Sequence, residues 1–196
     1  TALQRIYATQ HYDGGWSWWG NGESDPYISA YVIYGLLEAK TSGYEISDSV
    51  LDKGVAYLND NYWSLSAEKP SWQLNRYAFV LYTLARTNEL SYGHINYLYE
   101  QRDRLDLYGK AFLMQAIFLV DPDDEGIATL RSELQSTAIM SSSGVHWEEE
   151  TNDYWNWNTD LRSTAIILNA LVQVDGDTLI TANAVRWLMT HREYGH

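Results

Sequence analysis

The sequence predicts an all-α fold of the α/α toroid type, in which helical hairpins form two concentric layers. Helices that are apolar nearly all the way round alternate along the chain with helices that carry one apolar stripe. A helix without a polar face must be enclosed by its neighbours, whereas a one-stripe helix can face water. No run alternates with period two for long, so strands are not expected.

The chain starts with the end of a helix, over residues 2–11, and then turns at Asp13-Gly14-Gly15-Trp16. The two glycines can adopt the positive backbone torsions of a tight turn. Indoles carry more apolar area than a solvated loop usually exposes, so we expect the turn to be packed. Three indoles are expected to fill the space between hairpins: Trp16, Trp18 and Trp19.

The next helix is predicted to begin at Asp25-Pro26, an N-cap acceptor followed by a proline at the first helical position. Over residues 26–40 it has no broad polar face, which indicates burial. The same alternation predicts an amphipathic helix over 48–60, then buried and amphipathic pairs over 71–86 and 91–103, 106–120 and 123–138, and 160–174 and 177–192.

Particular residues are expected to point inward in these helices. The buried helices align on Ala30, Ala78, Ala111 and Ala165, at unequal spacing. The inward stripes of the last two amphipathic helices are predicted to be Ile127, Leu130 and Leu134, and Ala182, Val185, Leu188 and Met189.

The length of 196 residues fits one domain, residues 1–196, with a substantial core. Four helix pairs and the first trailing helix make four to five hairpins, fewer than the six of a complete toroid. We therefore expect a truncated ring.

Composition excludes several classes of function. The net charge is −13 and only 13 Lys and Arg are spread along the chain, so no nucleic-acid partner is expected. The longest uncharged apolar run, residues 111–120, is too short for a membrane span. The absence of cysteine excludes disulfides, thiolate zinc sites and a cysteine nucleophile within these residues.

Two acidic segments suggest chemistry. Residues 121–126 spell Asp-Pro-Asp-Asp-Glu-Gly, similar to the proton-donating motif of class II terpene cyclases, but carboxylates are also favoured at the start of a helix. The insertion 140–159 combines carboxylates with indoles, as glycan-cleaving toroids do, although a solvated acidic loop anchored by buried indoles is the simpler interpretation. The residues concerned are Glu148, Glu149, Glu150, Asp153 and Asp160, with Trp147, Trp155 and Trp157.

No complete site emerges from these patterns. The five histidines have no metal-type spacing, and there is no glycine-rich phosphate loop or nucleophile elbow. We therefore expect no catalytic, cofactor-binding or metal-binding residue and no cofactor.

Four stretches, in order, resemble the thioester-containing domain of the alpha-2-macroglobulin and complement family in its bacterial form. They are Asp13-Gly14-Gly15-Trp16, the phrase from Asp25 to Val32 with Glu38-Ala39-Lys40, Val145-His146-Trp147-Glu148, and Trp187-Leu188-Met189 with Arg192 and Gly195. Together they span nearly the whole chain.

The resemblance implies a scaffold segment, not an enzyme, within a large bacterial protein that is secreted or at the cell surface, extracellular or periplasmic. Such a protein is a broad-spectrum endopeptidase inhibitor that traps proteases after a cut in a bait region, and a Cys–Gln thioester can then acylate the target. Its partners are proteases, bound through the parent protein, and the remaining domains of the same chain.

The family's Cys-Gly-Glu-Gln motif is absent here, so we expect any reactive centre to lie before Thr1. The family's histidine that directs acylation toward hydroxyls is also absent from residues 63–75, which implies a preference for amines. The alternative function is an α/α toroid enzyme, terpene cyclase-like or glycan-cleaving, that uses Asp or Glu acids.

Overall fold

A computed structural model describes residues 2–20, 22–62, 69–90 and 92–191. This part of the chain is mostly helical, which confirms the all-α prediction. Its helices are α1 (Ala2–Ala8), α2 (Pro26–Thr41), α3 (Asp48–Asn61), α4 (Ser71–Ala85), α5 (Tyr92–Glu100), α6 (Leu107–Val120), α7 (Glu125–Ser136), α8 (Asp160–Asp175) and α9 (Leu179–Thr190). Short 3-10 turns occupy Arg102–Arg104 and Tyr154–Asn156.

The start of α2 follows from its sequence. The Asp25 side chain accepts hydrogen bonds from the backbone N–H groups of Tyr27 and Ile28, at 2.9 and 3.0 Å. Pro26 occupies the first helical position, where it has no N–H to leave unsatisfied. The predicted cap is confirmed.

The even-numbered helices form an inner row, in which α4 packs on α2 and α6, and α6 packs on α8. The odd-numbered helices α3, α7 and α9 cover them as an outer layer. The inner helices meet on aromatic rings: Phe79 lies 5.1 Å from Phe112 and 5.7 Å from Tyr34, centroid to centroid. The two predicted layers are therefore present.

Burial within the inner row is uneven. Most of α4 and α6 is buried, whereas α2 and α8 each have neighbouring inner helices on one side and expose part of their surface. Tyr31 on α2 is 39% exposed, so the prediction that α2 is enclosed all round is wrong. Ala165 on α8 is also exposed, and the buried face of this helix instead contains Thr164 and Ile167.

The first turn packs through its backbone and one indole. Gly14 has φ +91°, and a Cβ atom there would lie 2.3 Å from the carbonyl oxygen of Lys53 on α3. Trp16 is buried, and its indole N–H donates to the Ile6 carbonyl oxygen at 3.0 Å. The other two indoles of this turn, Trp18 and Trp19, are exposed, so the prediction that all three fill the space between hairpins holds only for the first.

The expectation of no strands is wrong at one place. An antiparallel hairpin, β1 (Ile139–Ser141) with β2 (Gly144–His146), packs on α9. Strands of three residues are too short to show a period-two pattern in sequence.

The hairpin also determines which side of α9 is buried. The inward stripe of α9 contains Thr181, Ala184 and Trp187, whereas the predicted Ala182, Val185 and Met189 are exposed. The stripe predicted for α7, by contrast, is buried as expected: Ile127, Leu130 and Leu134. None of the helices in the described ranges is long and apolar enough to cross a membrane.

Candidate functional site

The segment 147–159 lies across the N-terminal ends of the inner helices. It is attached first by Trp147, which is fully buried. Its backbone N–H donates to the Thr164 hydroxyl at 3.1 Å, and its indole N–H donates to the Leu134 carbonyl oxygen at 2.7 Å. This indole therefore joins the segment to both α8 and α7.

Glu149 caps the start of α6. Its carboxylate accepts hydrogen bonds from the backbone N–H groups of Leu107 and Tyr108, at 2.8 and 3.1 Å, and from the Ser163 hydroxyl at 2.5 Å. These donors satisfy N–H groups that have no partner within the helix. The carboxylate also lies at the positive end of the helix dipole.

Asp153 is the buried centre of a second group of contacts. Its Oδ2 accepts from the Tyr108 hydroxyl at 2.5 Å, from the Asn156 amide at 2.7 Å and from the Asn75 amide at 3.3 Å. Burial, together with donation to this carboxylate, raises the pKa of Tyr108, which therefore remains a protonated donor. Two of these partners, Asn75 and Tyr108, connect the segment to α4 and α6.

Asp106 joins this network through Asn75. The Asn75 amide donates to Asp106 Oδ2 at 2.7 Å, while its own oxygen accepts from the Asp106 backbone N–H at 3.1 Å. Burial, and the negative charges of Glu149 and Asp153 nearby, raise the pKa of Asp106 to about 6. This carboxyl therefore changes its protonation near neutral pH.

Four aromatic side chains project from this end of the molecule, and we call them the aromatic face: Trp18, Tyr154, Trp155 and Trp157. Their rings are between 62% and 76% exposed. Trp155 stacks on Trp72 at 5.2 Å and 19° between planes, and Trp157 lies 5.7 Å from Trp18. Trp157 has φ +49°, in the left-handed region that large side chains rarely adopt.

Two clefts adjoin the aromatic face. One has a volume of about 340 Å³ and is lined by the face together with Tyr27, Tyr31 and Asn156. The other, of about 430 Å³, shares Tyr154 and Trp157 with the first, and its remaining lining is polar. Apolar rings and hydrogen-bonding groups are therefore presented side by side.

The expectation that buried indoles anchor a solvated loop over 140–159 is right for Trp147 and wrong for Trp155 and Trp157. The carboxylates of that loop also separate into two kinds. Glu149 and Asp153 are held by neighbouring donors, whereas Glu148 is exposed and pairs with His146 at 3.1 Å. The glycosidase arrangement requires two carboxyl groups facing each other across a cleft, and Glu149 is instead occupied by three donors.

The acidic motif at 121–126 caps the N-terminal end of α7. Asp124 accepts from the Gly126 backbone N–H at 2.7 Å and is the N-cap of α7, and Asp121 accepts from the Asp123 N–H at 3.1 Å. Both contacts are local to the start of an outer helix. The segment 63–75 contains no histidine, and its residues 63–68 lie outside the part of the chain that the structure describes.

The sequence pattern missed five residues that complete the site: Trp72, Asn75, Arg76, Asp106 and Tyr108. They lie in or directly before the first two turns of α4 and α6. The available signal was the presence of polar side chains near the start of otherwise apolar helices, since such groups require partners when buried.

The arrangement defines a class of protein: a layered bundle of helical hairpins with an exposed aromatic end. No protein-family model matches the chain. It is 30% identical over 182 residues to the alpha-2-macroglobulin of Xylella fastidiosa strain Temecula1, which covers 89% of this chain and 11% of that protein. The chain thus spans about a tenth of the length of that relative.

Solved structures show the same fold. Native alpha-2-macroglobulin of Escherichia coli superposes with a TM-score of 0.75 at 16% identity, over 96% of this chain and 12% of that one. Alpha-2-macroglobulin of Salmonella reacted with methylamine superposes with a TM-score of 0.71 at 17% identity, over 97% of this chain and 14% of that one. The chain belongs to the alpha-2-macroglobulin family.

Proposed function

We propose that residues 1–196 form one helical domain of a larger bacterial endopeptidase inhibitor, which acts outside the cytoplasm and traps proteases. In this proposal the domain has no catalytic, cofactor or metal site of its own and is not an enzyme. Its partners are the other domains of the parent protein and, through them, the trapped protease. The relationship to alpha-2-macroglobulins supports the parent's role.

The observation that carries the domain's own role is the aromatic face. Large apolar rings that are exposed together mark a surface that another protein surface covers. A reactive acyl group in the parent would have to be kept from water until the protease cuts, because water would hydrolyse it. The aromatic face supplies the apolar cover, with the other domains of the parent on its far side.

A trapping assay on the full-length parent tests the proposal. A trapped protease loses activity on a large protein substrate, because the substrate is sterically excluded, but keeps activity on a small peptide substrate. We expect this divergence when the parent is mixed with trypsin or elastase. Equal activity on both substrates, at the level of free protease, would contradict the trapping role.

The role of the aromatic face is tested in the same assay with the double variant W155A/W157A. Trp19 provides a matched control, because its indole is 81% exposed and lines neither cleft. We expect the double variant to trap less protease after storage in water, while W19A behaves as wild type. If W155A/W157A and W19A trapped the same amount of protease, the aromatic face would have no role in trapping.

A further inference from the structure

We infer that Arg76 is the positioning residue of the aromatic face. It lies on α4, and its guanidinium reaches the 3-10 turn that carries two of the exposed rings. Its Nε donates to Asn156 Oδ1 at 2.6 Å, and its Nη2 donates to the Trp155 carbonyl oxygen at 2.9 Å. One rigid planar group thus holds two consecutive residues of the turn.

The same guanidinium also takes part in an aromatic stack. Its carbon lies 4.6 Å from the centroid of Tyr27 and 4.9 Å from that of Trp72. Trp72 in turn stacks on Trp155 at 5.2 Å. Arg76 therefore fixes both the backbone of the turn and the ring against which Trp155 rests.

The turn needs an external support because its own backbone is strained. Trp157 follows Asn156 directly and is held in the left-handed region, which L-residues with a large side chain populate sparsely. Such conformations persist only where surrounding contacts fix them. Asn156 supplies this fixed point, since its amide also reaches the Trp72 carbonyl oxygen at 2.8 Å and the Tyr108 hydroxyl at 3.0 Å.

Arg76 is suited to this task by its shape. Within the described part of the chain it makes no ion pair, so its contacts here are hydrogen bonds to neutral acceptors and the faces of two rings. A planar fork can make both kinds of contact at once, whereas a lysine ammonium cannot. The charge alone is therefore insufficient, and Arg76→Lys is expected to fail as a replacement.

Arg86 offers a matched control on the same helix axis. It follows α4 at its other end, its guanidinium carbon lies 5.1 Å from the centroid of Tyr34, and it forms an ion pair with Glu38. It resembles Arg76 in exposing a guanidinium to an aromatic ring, but it is remote from the turn.

The test compares R76A, R76K and R86A in this chain. Near-UV circular dichroism reports the Trp72 and Trp155 stack, and hydrogen exchange reports the backbone amides of residues 154–158. We expect R76A and R76K to lose the part of the near-UV signal that the Trp72–Trp155 stack contributes, among the nine tryptophans of the chain, and to exchange these amides at least tenfold faster, an order-of-magnitude loss of local protection. Far-UV circular dichroism should be unchanged, and R86A should match wild type in all three measurements.

Unchanged exchange and near-UV signal in R76A, or an equal loss in R86A, would overturn the inference. If R76A does not fold, the same measurements on R76K and R76Q test the inference, because both variants keep a long polar side chain on α4. The inference rests on the proposed function only for the importance of the face. A turn that loosens in R76A while the parent still traps protease normally would refute the proposed role of the face and leave the positioning by Arg76 intact.

Discussion

The guanidinium of Arg162 donates a hydrogen bond of 2.8 Å to the hydroxyl of Tyr31, although 131 residues separate them along the chain. The bond joins α8, at one end of the inner row, to α2, at the other. The two ends of the inner row therefore approach each other at this bond. Arg162 is oriented for this contact by a second bond, from Nη1 to the Asn158 side-chain oxygen at 2.9 Å.

A double-mutant cycle should detect this link. We expect Y31F and R162Q to be coupled by about 0.5–1.5 kcal/mol in the free energy of unfolding, the usual range for one hydrogen bond. Denaturant unfolding of the two single variants and the double variant measures the coupling. Y44F, at an exposed ring in the loop after α2, should show no coupling with R162Q; similar coupling for both tyrosines would refute the link.

The close approach at Gly14 should make its replacement more costly than that of another glycine with the same backbone conformation. Gly14 and Gly43 have φ +91° and +87°, but a Cβ at Gly43 would meet no atom within 4 Å. We expect G43A to lose about 1 kcal/mol from left-handed strain and G14A about 2 kcal/mol more from overpacking against Lys53. Denaturant unfolding measures both, and equal losses would contradict the packing argument.

Asp106 should make the protein more stable at mildly acidic pH. Its pKa is raised to about 6 in the folded state, above the usual value, so the folded chain binds this proton more tightly than the unfolded chain. The contribution of Asp106 is therefore largest below pH 4 and is lost as the pH rises through 6.

The variant D106N isolates that contribution, because asparagine imitates the protonated form and still accepts from Asn75. We expect D106N to stabilise the chain at pH 7.5 by about 1–2 kcal/mol, a value reduced for the partial exposure of the carboxyl. The gain should vanish near pH 4. A gain that does not depend on pH would show that the charge of Asp106 is not its cause.

Asp124 should behave as a helix cap. We expect D124A to lose about 1 kcal/mol of stability and D124N only a few tenths, because asparagine can also accept from the Gly126 N–H. Thermal unfolding distinguishes the two. Equal losses in both variants would mean that the carboxylate charge, and not the cap hydrogen bond, is what residue 124 contributes.

The parent protein, if it carries a thioester, should prefer amines over hydroxyls. The expectation derives from the absence of histidine in residues 63–75. Mass spectrometry of the parent after exposure to methylamine or to glycerol measures the two products. If glycerol is esterified as readily as methylamine is coupled, the predicted preference for amines is wrong.

A helix cap depends on neighbouring residues, whereas the burial of a side chain depends on the whole fold. The cap at Asp25 was predictable because it depends on the next three residues only. The burial of Trp16 but not of Trp18, one and three residues after Gly15, was not predictable, since it depends on which hairpin passes nearby. The prediction of which face of α9 is buried was wrong for the same reason, because the hairpin β1–β2 packs against Trp187.

The sequence indicated which segment forms the site, but not which distant residues hold that segment in place. The segment 140–159 stood out for its acids and indoles, and it does form the site. The donors that hold Asp153 of this segment, Tyr108 and Asn75, come from helices 45 and 78 residues away in the chain. No local pattern records such contacts.

The sequence by itself determined that the chain is helical, that its helices alternate between inner and outer positions, and where its main caps lie, because helix periodicity and capping are local properties. The tertiary structure decided which aromatic rings are buried and which are exposed, and it gathered Arg76, Asn156 and Asp153 beneath the aromatic face. Those outcomes depend on long-range packing, in which each ring is buried or exposed according to the neighbours that the whole fold supplies.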